Sequence, residues 1–145
     1  MQRADFHFFE PFRVRYAETD MQKVVFYGNY SIYYDVAITE YFRALGFDQM
    51  AHLSSTDEDF HVVKSTQEFK GSAVFDDKLD VGVRTAKLGR SSITFDAAIF
   101  RQGEDAPINV AEIVWVNANQ KTRTSAPMPQ ELIDKVKAFE RGKLG

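Results

Sequence analysis

Hydrophobic residues near the N-terminus first follow the spacing of a strand. The segment Phe8 to Tyr16 predicts a strand with Phe12, Val14 and Tyr16 on one face, because alternate strand residues point the same way. The stretch from Ala17 to Gly28 predicts a loop, since it contains two acids and only a short apolar run. The pattern changes to that of a helix after this loop.

From Tyr30 to about Leu45, apolar residues recur at helical spacing. The polar stripe of this helix is narrow, so we expect the helix to be buried on several sides. Gly28 and Asn29 supply a chain break and an N-cap residue before it, and Gly46 supplies a stop after it. The polar stretch from Asp48 to Asp59 then predicts a loop.

The apolar residues of the second half alternate with polar ones, as they do in half-buried strands. Four runs show this pattern: His61 to Phe69, Leu79 to Ala86, Ile93 to Phe100 and Val110 to Asn117. Turn-forming residues separate the runs, so we expect four strands in series as an antiparallel meander. A short helix from Pro129 to Phe139 follows them.

A series of strands after a single long helix indicates the α+β class. We expect a five-stranded antiparallel sheet wrapped around one long central helix, within a single domain covering residues 1–145. Such a sheet has a second face and an exposed edge, and both favour dimerisation.

The composition removes several functional classes. The chain of 145 residues has no cysteine, which excludes a disulfide framework, a cysteine-ligated metal and a thiol nucleophile. A net charge of −3 disfavours a nucleic-acid partner, and no apolar run approaches the ~20 residues that span a membrane. The N-terminus lacks the apolar core of a signal peptide, so the expected location is cytoplasmic.

Aromatic residues are concentrated at the start of the chain, where thirteen of them lie among the first 47 positions. They form either the core around the central helix or an aromatic-lined pocket. The chain contains no GxxxxGK[ST], GxGxxG, GxSxG or HExxH motif, so the phosphate-binding loop, nucleophile elbow and zinc helix are absent. The three histidines, His7, His52 and His61, are scattered.

Asp20 lies just upstream of the central helix and is the leading candidate for chemistry. Unpaired N–H groups at a helix start can polarise a carbonyl oxygen, as an oxyanion hole does. A nearby carboxylate can attack that carbonyl or deprotonate an attacking water. On spacing alone, Asp20 can equally be a turn or cap residue, and Glu18 can point to solvent.

The same segment carries a resemblance to a known family. Its quoted motifs are V-R-Y-A-E-T-D (Val14 to Asp20), V-V-x-Y-x-N-Y (Val24 to Tyr30) and T-E-Y-F-R-A-L-G (Thr39 to Gly46). Weaker matches are F-D-D-K-L-D-V (Phe75 to Val81), L-G-R-S-S (Leu88 to Ser92) and P-M-P-Q-E-L (Pro127 to Leu132). Together they resemble the 4-hydroxybenzoyl-CoA thioesterase family of hotdog-fold acyl-CoA thioesterases.

The resemblance implies a role for particular residues. Asp20 corresponds to the catalytic aspartate of the family, and the helix-start amides around Tyr27 and Gly28 are expected to polarise the thioester carbonyl. The residues expected to bind substrate are Phe26, Asn29 and Tyr30 at the helix start, and Lys87, Arg90 and Ser91 near the turn that would meet the CoA phosphates.

Three positions depart from the family pattern. Lys23 stands where many members have Gly, Tyr27 where many have His, and Ile38 where many have Arg. Lys does not easily adopt a positive φ, so the first change affects the expected loop geometry. The third removes a polar group from the helix. All three leave Asp20 in place.

The expected activity is hydrolysis of an acyl-CoA to a free acid and CoA, with Asp20 as nucleophile or general base. Coenzyme A is part of the substrate, and neither a metal nor another cofactor is implied. The expected assembly is a homodimer or a homotetramer built from two dimers. One alternative is a non-hydrolytic module that binds acyl-CoA or an acyl-carrier protein. A dehydratase is disfavoured because no His lies in the helix-start segment.

Overall fold

The central helix begins and ends close to the positions that the sequence predicts. In the computed structural model, which describes residues 1–141, α1 comprises Asn29–Leu45 with Gly28 at the N-cap position. Gly46 ends the helix with φ 81°, in the left-handed region that glycine adopts without steric cost. The helix prediction is therefore confirmed to within one residue at its start.

Five antiparallel strands form a single sheet in the order β1-β3-β4-β5-β2. Their bounds are β1 Phe8–Arg13, β2 Glu58–Phe69, β3 Lys78–Leu88, β4 Ser92–Arg101 and β5 Pro107–Asn119. The α+β hotdog arrangement, with the sheet packed on α1, is confirmed. The predicted four-strand meander is wrong, because β2 pairs with β5 at the far edge and only β3, β4 and β5 follow one another.

One face of α1 packs against the sheet and supplies the centre of the core. Its buried residues are Tyr30, Tyr33, Tyr34, Ala37, Ile38, Tyr41, Phe42 and Leu45. The opposite face is open, with Ile32 55% and Val36 39% exposed. The expectation that α1 is buried on several sides is therefore wrong for this chain alone, since a single sheet covers only one side of a helix.

The second face of the sheet carries a small apolar cluster covered by the N-terminal segment. Phe6 packs on Phe100 there, and a Cβ added at Gly82 would lie 2.9 Å from the Phe6 ring. Arg3 lies over the Phe9 and Phe100 rings and forms an ion pair with Asp80 at 2.8 Å. The glycine therefore makes room for an aromatic ring on the sheet.

The structure differs from the prediction in the segments before and after α1. The strand predicted to reach Tyr16 stops at Arg13, and Tyr16 itself is 78% exposed and opens a short 3₁₀ helix, Tyr16–Glu18. The stretch predicted as a loop after Phe47 contains a helix, α2 (Gln49–Thr56), whose first turn is capped by the Asp48 carboxylate accepting from Ala51 N.

The remaining elements agree with the expectations. The last helix, α3, comprises Gln130–Glu140 and has Pro129 at its N-cap position. Its last residue, Glu140, is buried and accepts hydrogen bonds from Tyr41 Oη at 2.5 Å and Thr85 N at 3.0 Å, which fixes α3 to β3. No helix in the described range 1–141 is long and apolar enough to cross a membrane.

The direction of α1 along the sheet decides which groups share an end of the molecule. Ser31, in the first turn of α1, accepts from Gln67 Nε2 at 2.7 Å near the end of β2. Phe42, in the last turns, stacks on Phe60 near the start of β2. The helix therefore runs antiparallel to β2, with its N-terminus beside Phe69.

Candidate active site

The acid-bearing loop before α1 folds as a small hairpin. Thr19 and Val25 form an antiparallel bridge, and Asp20 N donates to Val24 O at 3.0 Å. Lys23 N donates to Asp20 O at 2.9 Å, which closes a four-residue turn. Lys23 has φ 64°, the left-handed conformation of the last residue in such a three-residue hairpin loop. The loop therefore keeps the geometry that glycine would favour, with lysine in it.

Glu18 fastens this hairpin to the start of α1. Its backbone carbonyl accepts from Phe26 N and from Asn29 Nδ2, both at 2.9 Å. Its carboxylate accepts from Tyr33 Oη at 2.8 Å and from the Arg15 guanidinium. Glu18 therefore points inward and holds the loop, rather than facing solvent.

The ionisation of Glu18 follows from these contacts. Burial alone would raise its pKa, but the hydrogen bonds donated by Arg15 and Tyr33 favour the charged form more strongly. The net result is a Glu18 pKa below its usual value. Glu18 is therefore a charged structural group at neutral pH and a poor candidate for a proton-accepting role.

Asp20 is the acid that the hairpin leaves accessible. It is half-buried, and its Oδ1 accepts from Gln22 N at 2.8 Å, which is the hydrogen bond of an Asx turn. Its other carboxylate oxygen has no hydrogen-bond partner within residues 1–141. Asp20 thus shapes its own turn with one oxygen and has the second available for a ligand.

The start of α1 presents backbone donors beside this loop. Asn29 N donates to Phe26 O and Tyr30 N to Tyr27 O, whereas the N–H groups of Tyr27 and Gly28 have no acceptor in the described part of the chain. The Asn29 side chain bonds to the loop at Glu18 and does not cap the helix. Two free donors at the positive end of a helix dipole suit a developing oxyanion.

The aromatic residues at the helix start divide between surface and core. Phe26 and Tyr27 are 46% and 66% exposed and contact each other, and Tyr27 also contacts Phe69. Tyr30 is buried, and its hydroxyl accepts from Ala73 N at 3.1 Å. Of the predicted substrate-binding aromatic residues, Phe26 is accessible, whereas Tyr30 belongs to the core in this chain.

A cavity of about 270 Å³ lies beside the first three turns of α1. It lies between one flank of the helix and strands β2 and β5 and is lined by Ser31, Asp35, Ile38, Val62, Ser65, Ile113 and Trp115. Its walls are largely apolar, and Ser31 lies next to Tyr30 in the first turn of the helix. The cavity can accept an apolar group.

The predicted phosphate-binding residues lie elsewhere. Lys87 is the penultimate residue of β3, and Arg90 and Ser91 lie in the turn to β4, which pairs with β5 next to Val116. Both cations are exposed, and neither has an acidic partner within residues 1–141. The Asp20 loop adjoins the segment that leads into the opposite end of β3, because Val25 N donates to Ala73 O at 2.8 Å. The length of a strand, about 30 Å, therefore separates the two groups.

Sequence reasoning missed a polar cluster at this second end. His52, expected in a loop, is buried on α2, and its Nε2 lies 3.1 Å from Asn117 Oδ1. Asn117 also donates to Glu58 Oε1 at 2.8 Å. The only signal in the sequence is a polar Asn at an inward position of β5, and Asn109 carries the same signal at the other end of that strand. Within residues 1–141, no group of three His, Cys, Asp or Glu residues is arranged to hold a metal ion.

The sequence matches a family model over residues 22–108, and that family is the thioesterase superfamily. The match begins two residues after Asp20. The acyl-CoA thioester hydrolase YbgC of Escherichia coli is 29% identical over 127 residues, which cover 88% of this chain and 93% of that protein. The acyl-CoA thioesterase YbgC of Haemophilus influenzae is 31% identical over 63% of this chain and 67% of its own length.

Solved structures agree on the fold. A gentisyl-coenzyme A thioesterase superposes with a TM-score of 0.79 and 26% identity, covering 89% of this chain and 99% of its own. A 1,4-dihydroxy-2-naphthoyl-CoA thioesterase from Synechocystis gives a TM-score of 0.83 at 19% identity, covering 89% and 94%. From its sequence match and its architecture, the chain belongs to the thioesterase superfamily.

Proposed function

We propose that this protein hydrolyses acyl-CoA thioesters to a free acid and CoA, with Asp20 as the catalytic carboxylate. Membership of the thioesterase superfamily and the names of the YbgC relatives support the reaction class. The observation that carries the residue assignment is the free oxygen of Asp20 in a hairpin fastened to the start of α1.

The local geometry suggests how the steps divide. The thioester carbonyl oxygen accepts from the free N–H groups of Tyr27 and Gly28, which stabilise the negative charge that develops on it. Asp20 then either attacks the carbonyl carbon, forming an anhydride that water cleaves, or takes a proton from an attacking water. In both routes the C–S bond breaks, CoA leaves as the thiolate, and the water that is consumed supplies the proton of the CoA thiol. The acyl group occupies the cavity beside α1.

Replacing Asp20 tests this proposal directly. Asp20→Asn keeps the Asx-turn acceptor but removes the basic carboxylate, so kcat should fall by about 10²–10⁴-fold. Asp48→Asn is the matched control. Asparagine caps α2 as well as aspartate does, and Asp48 lies beyond the end of α1 that is far from Asp20. Release of free thiol should be measured on aromatic, short-chain and long-chain acyl-CoAs.

Two results would contradict the proposal. Wild-type rates for Asp20→Asn would remove the role of the carboxylate. Tight binding of CoA esters by the wild-type protein, with no thiol released from any of them, would indicate the non-hydrolytic binding module instead.

The proposal includes a dimer because Asp20 and Arg90 of one chain lie near opposite ends of β3, too far apart to share a site. Strand β2 has a free edge, and Val62 and Val63 on it are 56% and 60% exposed. A two-fold axis through the middle of β2 would pair this edge with its copy and bring the partner's helix beside the flank of α1 that faces β2. The same rotation brings the partner's Arg90 to the end of the sheet that carries Asp20.

In that dimer, Lys87 and Arg90 are placed to bind the phosphate groups of CoA. Lys87 and Arg90 lack acidic partners in the described residues, and guanidinium and ammonium groups at a turn bind phosphate. Each site would then take its carboxylate from one subunit and its phosphate-binding turn, with Ser91, from the other.

A further inference from the structure

The β3–β4 turn is held to the sheet through its backbone. Gly89 N donates to Ser92 O at 2.8 Å and closes the turn. The carbonyls of Arg90 and Ser91 accept from Met128 N and Asn117 N, also at 2.8 Å each. The direction in which the Arg90 side chain leaves the surface therefore depends on two donors outside the turn.

Asn117 controls both of these donors. Its own N–H is one of them, and its Nδ2 donates at 3.1 Å to the carbonyl of Pro127, which immediately precedes Met128. Its backbone carbonyl accepts from Ala126 N at 2.8 Å. A single residue in β5 thus fixes the turn directly and also fixes the segment that supplies the second hydrogen bond.

The side chain of Asn117 has no freedom to rotate away. It is completely buried, and Nδ2 donates to Glu58 Oε1 as well as to Pro127 O. Its Oδ1 must therefore be the acceptor from His52 Nε2, which sets the proton on that nitrogen. Removing the amide would take one hydrogen-bond partner each from the buried His52 on α2, the half-buried Glu58 carboxylate on β2 and the Pro127 carbonyl before α3.

We propose that Asn117 is a positioning residue that aims Arg90 at the CoA phosphates; this inference rests on the proposed function. Asn117 contacts neither substrate nor the reacting atoms. It acts through the β3–β4 turn, so its loss should weaken binding of the phosphate-bearing part of the substrate and leave the chemical step at Asp20 unaffected.

Two substrates that differ in the phosphates separate this role from general stability. For Asn117→Ser, or Asn117→Thr if the serine variant does not fold, we expect KM for an acyl-CoA to rise about tenfold, the loss of roughly one phosphate hydrogen bond. The KM for the same acyl group on pantetheine, which lacks the phosphates of CoA, and kcat for both substrates should change less than about twofold.

Asn109→Ser is the matched control. Asn109 is also completely buried in β5 and accepts from Tyr34 Oη at 2.6 Å, but it lies at the other end of the strand. Its replacement should affect the two substrates alike. An equal rise in KM for acyl-CoA and acyl-pantetheine in the Asn117 variant, or no rise for either, would overturn the inference.

A double-mutant cycle with Arg90 shows whether the effect passes through that side chain. In an Arg90→Ala background, Asn117→Ser should raise KM for acyl-CoA no further. The affinity of the same variants for free CoA, measured by calorimetry, gives this comparison without turnover. The test therefore still applies if Asp20 proves not to be catalytic. If Arg90→Ala leaves both KM and CoA binding unchanged, the turn binds no phosphate and the inference about Asn117 is wrong.

Discussion

Lys23 adopts a backbone conformation that usually belongs to glycine. Its φ of 64° costs an L-residue about 1–2 kcal/mol, and glycine removes that strain while adding roughly 0.5–1 kcal/mol of unfolded-state entropy. Lys23→Gly should therefore raise the free energy of unfolding in urea by about 0.5–1 kcal/mol.

Lys121→Gly is the control for this prediction. Lys121 also lies in a turn but has no positive φ, so glycine relieves no strain there and brings the entropic cost together with the loss of an exposed ion pair to Asp57 at 3.2 Å. A loss of stability in Lys23→Gly as large as that in Lys121→Gly would show that the hairpin stores no strain.

Glu18 should make the stability depend on pH in the acid range. Its pKa in the folded protein lies below the ordinary value of 4.5, so its carboxylate stabilises the fold above pH 4.5. That contribution disappears as the pH falls from 4.5 through the lower folded pKa. Glu18→Gln should lose about 1–2 kcal/mol at pH 7 and show a shallower decline below pH 4.5 in urea unfolding.

A second variant tests the source of this effect. Tyr33→Phe removes one of the hydrogen bonds that hold the Glu18 pKa down and leaves the Arg15 contact. The free energy of unfolding of this variant should decline below pH 4.5 less steeply than that of the wild type and more steeply than that of Glu18→Gln. Identical pH profiles for the wild type and Glu18→Gln would contradict the assignment.

The N-terminal segment packs on the sheet where Gly82 leaves space for the Phe6 ring. An added Cβ at Gly82 would lie 2.9 Å from the Phe6 ring, so Gly82→Ala should reduce the free energy of unfolding by about 1–3 kcal/mol. In a Phe6→Ala background the same substitution should cost much less, because the clash is gone. An equal cost in both backgrounds, measured in urea, would place the strain within β3 itself.

The elements that the sequence predicts well are those with dense local signals. Helix α1 has regular apolar spacing and a glycine at each end, so its bounds follow from neighbouring residues alone. Helix α2 has only two large apolar residues, Met50 and Leu53, after its Asp48 cap and ends in three hydroxyl residues. Its buried face depends on His52 packing against Phe60 from the next strand. Local propensity cannot predict that contact.

Pairing order and side-chain direction also depend on distant parts of the chain. The alternation of β2 predicts a strand but does not distinguish β3 from β5 as its neighbour. At the candidate site, the sequence singled out Asp20 and the helix start. It left the direction of Glu18 open because that depends on Tyr33, fifteen positions away. The Asn117 cluster needs four separate segments to meet, and no motif marks it.

For the whole molecule, the proposed dimer makes a prediction about mixed subunits. Each site takes Asp20 from one chain and Arg90 from the other, so hybrids of Asp20→Asn with Arg90→Ala chains contain one intact site. They should show the wild-type KM and about half the wild-type kcat per dimer. Sedimentation should give about twice the chain mass of 16.6 kDa.

The reciprocal hybrid is the control. Wild-type chains paired with chains that carry both substitutions have no intact site, since one site lacks the carboxylate and the other lacks the guanidinium. A wild-type KM in this hybrid, or a monomeric mass, would rule out the shared site.

Trp115 gives the protein its own optical probe. It is the single tryptophan of the chain, stacks on Phe42 of α1 with ring centroids 5.7 Å apart and meets Phe95 edge-on at 5.4 Å. Because the indole is 8% exposed and lies where the helix meets the sheet, its fluorescence should emit at short wavelength while the two stay packed. Separation of α1 from the sheet should shift that emission to the red without any added label.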